Sequence, residues 1–204
     1  MKKFARIVGT GSYLPPRIIT NSELEKSLDT TDEWITSRTG IKERRIVEDQ
    51  NTCDLALEAS INALEMAELK TSEIDLIILA TTTPDKIFPA TATTLQDRIG
   101  ASCPAFDIQA VCAGFVFALT TAQQYIENGV AKNILVVGSE TMSKIVDWND
   151  RSTAVLFGDG AGAVVVSKDN TTGIKHAKLC SDGKYLSSLY VNNNGINETG
   201  TIEM

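Results

Sequence analysis

The sequence predicts a layered α/β fold around a largely parallel, buried sheet. Three observations carry this reading. Apolar runs alternate with amphipathic helical stretches along the chain. The run 74–80 is apolar throughout except Asp75, as in a strand buried on both faces. Gly100 and Gly129 follow helical stretches directly, where a left-handed residue closes a helix.

The elements follow in order. Residues 5–9 read as a short strand ending in a Gly9-Thr10-Gly11 turn and Pro15-Pro16. Asn21-Ser22 cap a short helix over 23–28, and Thr31 with Asp32 offer caps for a second over 33–39. Thr52 or Asp54 opens a longer helix to Glu68, with Leu55, Ala59, Ala63 and Met66 on helical spacing. A helix over 92–99 precedes a strand over 105–111. A helix over 114–128 precedes a strand over 133–137. Residues 154–157 and 161–167 flank Gly158-Asp159-Gly160 as a hairpin. Beyond Gly173 the pattern changes: 174–179 and 187–191 read as strands, and Asn192-Asn193-Asn194-Gly195 as a loop.

Composition bounds the function. The 204 residues are 43% apolar and 22% charged, a globular balance. With 19 Lys and Arg against 26 Asp and Glu, the net charge is −7, and a nucleic-acid partner is disfavoured. Arg6 interrupts the first apolar run, and no run approaches the ~18 residues of a membrane span. The expectation is a cytoplasmic protein without a membrane partner. Cys53, Cys103, Cys112 and Cys180 include no C-x-x-C pair, and there is one histidine. Neither a metal site nor a disulfide framework is expected.

Two glycine patterns invite a nucleotide reading and fail it. Gly158-Asp159-Gly160-Ala161-Gly162-Ala163 leads into Val164-Val165-Val166, a strand, whereas a dinucleotide fingerprint must open a helix. Gly9-Thr10-Gly11 runs into prolines.

Cys112 has a different setting, between a buried strand and a helix start, in Gln109-Ala110-Val111-Cys112-Ala113-Gly114-Phe115. A helix N-terminus presents free N–H groups and partial positive charge, which favour thiolate over thiol. Ala113 and Gly114 leave the turn uncrowded. The arrangement is like a nucleophile elbow with Cys in place of Ser; the bland alternative is a buried core cysteine. Trp34 and Arg38, four apart, share one helix face. An indole beside a guanidinium can sandwich a planar base, and Lys42, Arg44 and Arg45 offer cations for phosphate. The alternative is an exposed helix with one core tryptophan.

Together these blocks resemble the β-ketoacyl-acyl-carrier-protein synthase III family. The resemblance runs along essentially the whole chain. It includes Gly9–Pro15, Asp32-Glu33-Trp34 with Arg38-Thr39-Gly40-Ile41, Asp107–Phe115 around Cys112, Asp150-Arg151, and Phe157–Ala163. It implies a thiolase-like layered fold and a homodimer. It implies that Cys112 takes an acyl group from acyl-CoA, with no cofactor. The acyl-enzyme then undergoes decarboxylative condensation with malonyl-acyl-carrier-protein, the initiating step of fatty-acid synthesis.

By the same resemblance Trp34 and Arg38 hold the CoA adenine, Arg151 is its other clamp, and Thr30 is a further CoA contact. Phe88 crosses the dimer to floor the partner's acyl pocket, and Leu156 is a pocket wall. The family's histidine and asparagine lie in its second half, beyond Met204. Residues 1–170 are therefore expected to be the first thiolase-like half, and 171–204 the opening of an incomplete second. His176 matches no catalytic position and is expected to be structural, in a strand. Two other readings remain: a catalytically incomplete scaffold, and another thiolase-like enzyme such as a hydroxymethylglutaryl-CoA synthase. Trp34, Arg38 and Arg151 together favour a synthase III over the latter.

Overall fold

The structure, a computed structural model, describes residues 3–191 and 200–204. The chain runs β1 (Phe4–Tyr13), β2 (Arg17–Thr20), α1 (Asn21–Leu24), α2 (Asp32–Thr39), β3 (Glu43–Ile46), α3 (Thr52–Ala67) and β4 (Leu76–Ala80). It continues α4 (Thr91–Arg98), β5 (Ala105–Ile108), α5 (Gly114–Glu127), β6 (Asn133–Thr141), α6 (Arg151–Ala154), β7 (Asp159–Asp169), β8 (Tyr190–Val191) and β9 (Ile202–Glu203). It forms two compact units interleaved in sequence. The first holds residues 1–14, 50–140 and 160–179; the second holds 15–49, 141–159 and 180–204.

The first unit is the expected α/β layer. Its sheet has the order β1-β7-β6-β4-β5, with β4 parallel to both β5 and β6 and β1 antiparallel to β7. Strand alternation explains the unbroken apolar runs. Ile78 and Ala80 of β4, with Ile134 and Val136 of β6, pack against Ala118, Ala122 and Ile126 of α5. Ile77, Leu79, Leu135 and Val137 point the other way and are equally buried.

Three expectations are corrected here. Gly9-Thr10-Gly11 is not a turn: β1 continues to Tyr13, with Gly11 paired to Ala163. The glycines serve close packing instead, because α3 lies hard against β1. A Cβ on Gly9 would sit 2.3 Å from the Ala63 carbonyl oxygen, and one on Gly11 2.1 Å from that of Ala59. Nor do Gly158-Asp159-Gly160 make a hairpin. Ala154 ends the short helix α6, while β7 pairs with β1, Tyr13 opposite Ala161. Finally, 174–179 form no strand. His176 is exposed there rather than packed in a sheet, and only Ile174 leans on the core, its N–H bonding the Ala5 carbonyl at 2.8 Å. The Asn192–Gly195 loop lies outside the described residues.

The second unit is small. The β2–β3 ladder, α1, α2 and α6 enclose Ile19, Leu24, Ile35, Ile46, Val155 and Ile202. The caps are local: Thr20 accepts from the Glu23 N–H, and Thr31 from the Trp34 N–H at 3.1 Å.

Gly11→Ala is expected to lower stability by roughly 1–3 kcal/mol, since the new methyl meets backbone that cannot yield. Gly162→Ala, whose Cβ has no neighbour within 4 Å, is expected to stay within about 0.5 kcal/mol of the parent. Urea denaturation of both variants checks the pair.

Candidate functional site

Parallel pairing brings the carboxyl ends of β5, β4 and β6 out side by side in the first unit, the edge where open α/β sheets bind ligands. Cys112 sits beyond β5 in a single helical turn, Val111–Ala113, that leads directly into α5. Its side chain is exposed. The preceding Val111 has φ of +47°, a left-handed conformation that a β-branched residue rarely adopts. The turn is therefore a strained elbow that lifts the thiol out at the start of α5. Gly114 faces the sheet at the start of α5, where a Cβ would stand 3.4 Å from that of Ala80, an ordinary packing contact. Cys112 is thus not a core cysteine; that description fits Cys53 and Cys103, both buried, with burial raising both thiol pKa values.

Carboxylates organise the same edge. Glu140, near the end of β6, accepts hydrogen bonds from the Thr82 N–H at 2.8 Å and the Thr83 N–H at 3.1 Å. It also accepts from the Thr81 and Thr83 hydroxyls. Burial raises its pKa, and these donors act against the rise. Gln109 donates to the Thr82 hydroxyl at 3.2 Å. Asp107 on β5 accepts the Thr91 and Ala92 N–H groups at 2.8 and 2.7 Å, capping α4, whose own Ala90 carries no cap. Burial raises the Asp107 pKa too, against the same N–H bonds.

The second unit holds the cation–indole cluster by itself. Two guanidinium carbons lie over the Trp34 ring, Arg38 at 5.1 Å and Arg151 at 4.8 Å from its centroid. Arg151 also donates to the Asp29 carbonyl at 2.9 Å. It follows Asp150, which caps α6. Hydrogen bonds from the Ser152 hydroxyl and N–H and the Thr153 hydroxyl hold the Asp150 carboxyl below its ordinary range. Thr30 is half-buried, and its hydroxyl has no hydrogen-bond partner among the described residues.

Two of the three cations expected for phosphate are occupied elsewhere. Arg44 is buried, donating to the Ile19 carbonyl at 3.3 Å, the Val155 carbonyl at 3.1 Å and Asn21 Oδ1 at 2.9 Å. Burial lowers its pKa. Arg45 donates to the Pro15 and Pro16 carbonyls and approaches Glu43 at 3.8 Å. Lys42 alone of the three is fully exposed. Phe88 is 83% exposed beside exposed Ile87, and Leu156, in the second unit, is exposed as well.

The family model for 3-oxoacyl-[acyl-carrier-protein] synthase III matches residues 106–183, the stretch around Cys112. The beta-ketoacyl-[acyl-carrier-protein] synthase III of Vesicomyosocius okutanii is 68% identical over all 204 residues, and that of Neisseria meningitidis serogroup B is 60% identical over 192. In sequence and fold the chain resembles the β-ketoacyl-acyl-carrier-protein synthase III family.

Solved structures agree. The synthase III of Aquifex aeolicus superposes with a TM-score of 0.93 at 48% identity, covering 98% of this chain and 64% of that one. A priming β-ketosynthase from a polyketide biosynthetic pathway gives 0.95 at 37%, covering 100% and 64%. The fold is therefore thiolase-like. The chain spans 65% of the first relative's length and 60% of the second's. Among the described residues no helix is long and apolar enough to cross a membrane, and no group of three or more metal-ligating side chains occurs.

Sequence reasoning missed Glu140 and the structural role of Arg44. The signal for Glu140 was present: a carboxylate closing the apolar run 134–138, opposite three threonines that close 74–80. Arg44→Leu is expected to orphan three buried acceptors at roughly 1–3 kcal/mol each, lowering the urea midpoint sharply. Arg45→Ala, at a half-exposed position, is expected to move it much less.

Proposed function

We propose that the chain carries the nucleophile and the CoA clamp of a β-ketoacyl-acyl-carrier-protein synthase III. The observation that carries this is the exposed Cys112 on its strained elbow at the start of α5. Cys112 Sγ attacks the thioester carbonyl of an acyl-CoA. The bond from carbonyl carbon to CoA sulfur breaks, CoA leaves as thiolate and takes up a proton, and a cysteinyl thioester remains. Malonyl-acyl-carrier-protein then loses CO2. The electron pair released forms an enolate, its carbon attacks the Cys112 thioester, and the thiolate is expelled. The product is a β-ketoacyl-carrier protein. Support for these substrates comes from the family and from the names of the relatives.

In this reading the adenine of CoA enters between the Trp34 indole and a guanidinium, with Arg38 and Arg151 the two cations at hand. Thr30 offers its unpartnered hydroxyl to the same ligand. Phe88, held out in solvent, meets a second copy of the chain in a homodimer and floors its acyl pocket, while Leu156 walls the pocket. Residues 1–170 are the first thiolase-like half and 171–204 the opening of the second. The reaction needs no cofactor, and the enzyme works in the cytoplasm.

The decisive experiment is acyl loading of the protein as encoded in full, followed by intact mass and peptide mapping. Short acyl-CoA is expected to label Cys112, and Cys112→Ser to abolish labelling, because an alkoxide is far harder to form than a thiolate at neutral pH. Label that moves to Cys53 in that variant overturns the assignment.

Trp34→Ala and Arg38→Ala are expected to raise the KM for acyl-CoA more than they lower kcat, the signature of lost uniform binding. Steady-state kinetics with varied acyl-CoA separate the two, and a pure kcat defect rejects the clamp.

A further inference from the structure

The elbow at Val111 raises a question of support. A β-branched residue at φ +47° stays there only if its surroundings over-determine it. The turn's own backbone bonds run from the Ala113 N–H to the Ala110 carbonyl at 3.1 Å and from the Gly114 N–H to the Val111 carbonyl, and neither involves a side chain. Ala110 has no side chain with which to cap the turn. Among the described residues the side-chain anchor nearest in sequence is Gln109, two residues before Val111. Its amide reaches across to the Thr82 hydroxyl beyond the end of β4.

Thr82 is itself fixed from the other side. Its N–H and that of Thr83 both point at Glu140, as do the Thr81 and Thr83 hydroxyls, so one carboxylate satisfies four donors. Charge-assisted bonds of this kind are about twice as strong as neutral ones. The loop is also tied beneath: Thr52 donates its hydroxyl to the Thr83 carbonyl, and Ser139 donates to the Thr52 carbonyl at 2.8 Å. Thr82 is therefore a fixed point, and the Gln109 side chain leads from it to the elbow. All these groups lie in the first unit.

We propose that Glu140 is a positioning residue for Cys112, holding the 81–83 loop so that Thr82 and Gln109 keep the Val111 elbow in the strained conformation that presents the thiol at the start of α5. Glu140 touches no reacting atom in this scheme. It fixes geometry, and geometry sets reactivity, because Cys112 reacts well only where the elbow aims its thiol at the incoming carbon. The inference deepens the proposed function and rests on Cys112 as its nucleophile.

The test compares wild type, Glu140→Ala, Thr82→Val and the double variant in the protein as encoded in full. Thr82→Val keeps the side-chain shape and the N–H that Glu140 accepts. It removes only the hydroxyl that Gln109 grips, so it spares the fold. Two rates are read at Cys112: acylation by acetyl-CoA, and alkylation by iodoacetamide with exposed Cys180 as internal reference. Both are expected to fall roughly 10- to 100-fold in Glu140→Ala, the scale of a misplaced reacting group, and to fall in Thr82→Val as well. Cys180 keeps its rate, and the acetyl-CoA dissociation constant stays within about twofold, as uniform binding is untouched. The double variant is no slower than Glu140→Ala, because both changes cut one chain of contacts.

Mere destabilisation gives the opposite signature, with faster alkylation spreading to the buried Cys53 and Cys103. That result overturns the proposal, as does wild-type alkylation of Cys112 in Thr82→Val, or effects that multiply. If acetyl settles on a different cysteine in the wild type while Cys112 alkylation still falls in the variants, the proposed function fails and the positioning role stands. If Cys112 loads equally fast in all four proteins, the function stands and the positioning role fails.

Discussion

Parallel pairing of β5, β4 and β6 is the constraint on which the site depends. Parallel strands cannot be joined by tight turns, so each returns through a helix and all their carboxyl ends emerge on one side. Three chain segments that are distant in sequence, 81–83, 109–112 and 140, are thereby delivered to one edge. The price is a strip of backbone N–H groups and carbonyls with no ladder partner. Glu140 and Asp107 resolve much of it: one satisfies the donors of the 81–83 loop, the other those at the start of α4. Both carboxylates are pulled toward neutrality by burial and held toward charge by N–H donors, and the opposition ties each to its loop.

Close packing supports that frame from outside. β1 at the sheet edge carries α3 against bare backbone at Gly9 and Gly11. Facing small residues, Ala59 and Ala63, complete an interface with no room for a methyl group. The contact of Gly114 with Ala80 is looser, with room for a Cβ at 3.4 Å, so the constraint belongs to α3 on β1. The position of α3 on the sheet follows from what Gly9 and Gly11 omit.

Much of this was legible in the sequence, and the failures share a cause. Periodicity and caps located α2, α3, α4 and α5 within a residue or so, because helical spacing and cap chemistry are local. Cys112 was legible because strand, small residues and helix start are contiguous. Gly9-Thr10-Gly11 and Gly158-Asp159-Gly160 were read as turns because glycine signals either a turn or a close approach, and only the partner decides which. For the first the partner is α3, some fifty residues away in sequence. For the second it is β3, since a Cβ on Gly158 would stand 3.0 Å from the Arg45 carbonyl oxygen. Arg44 and Arg45 look alike on paper. Burial among carbonyls versus a half-exposed edge position cannot be read from two adjacent arginines.

Arg44 also explains why the cation–indole cluster tolerates so short a helix as α6. Four residues cannot hold their own shape in water, since nucleation consumes the few hydrogen bonds available. Arg44 donates to the Val155 carbonyl just past that helix, and also to Ile19 and Asn21. Asn21 in turn donates to Asp32 Oδ1 and to the Ile41 carbonyl, each at 2.8 Å. One buried cation thus joins the end of α6 to both ends of the α2 segment, the two elements that bring Arg151 and Arg38 over the Trp34 ring. Guanidinium suits the task because its fork addresses several acceptors in fixed directions, which an ammonium cannot. The geometry of the cation–indole cluster is therefore set from inside the second unit, by an arginine that is itself buried.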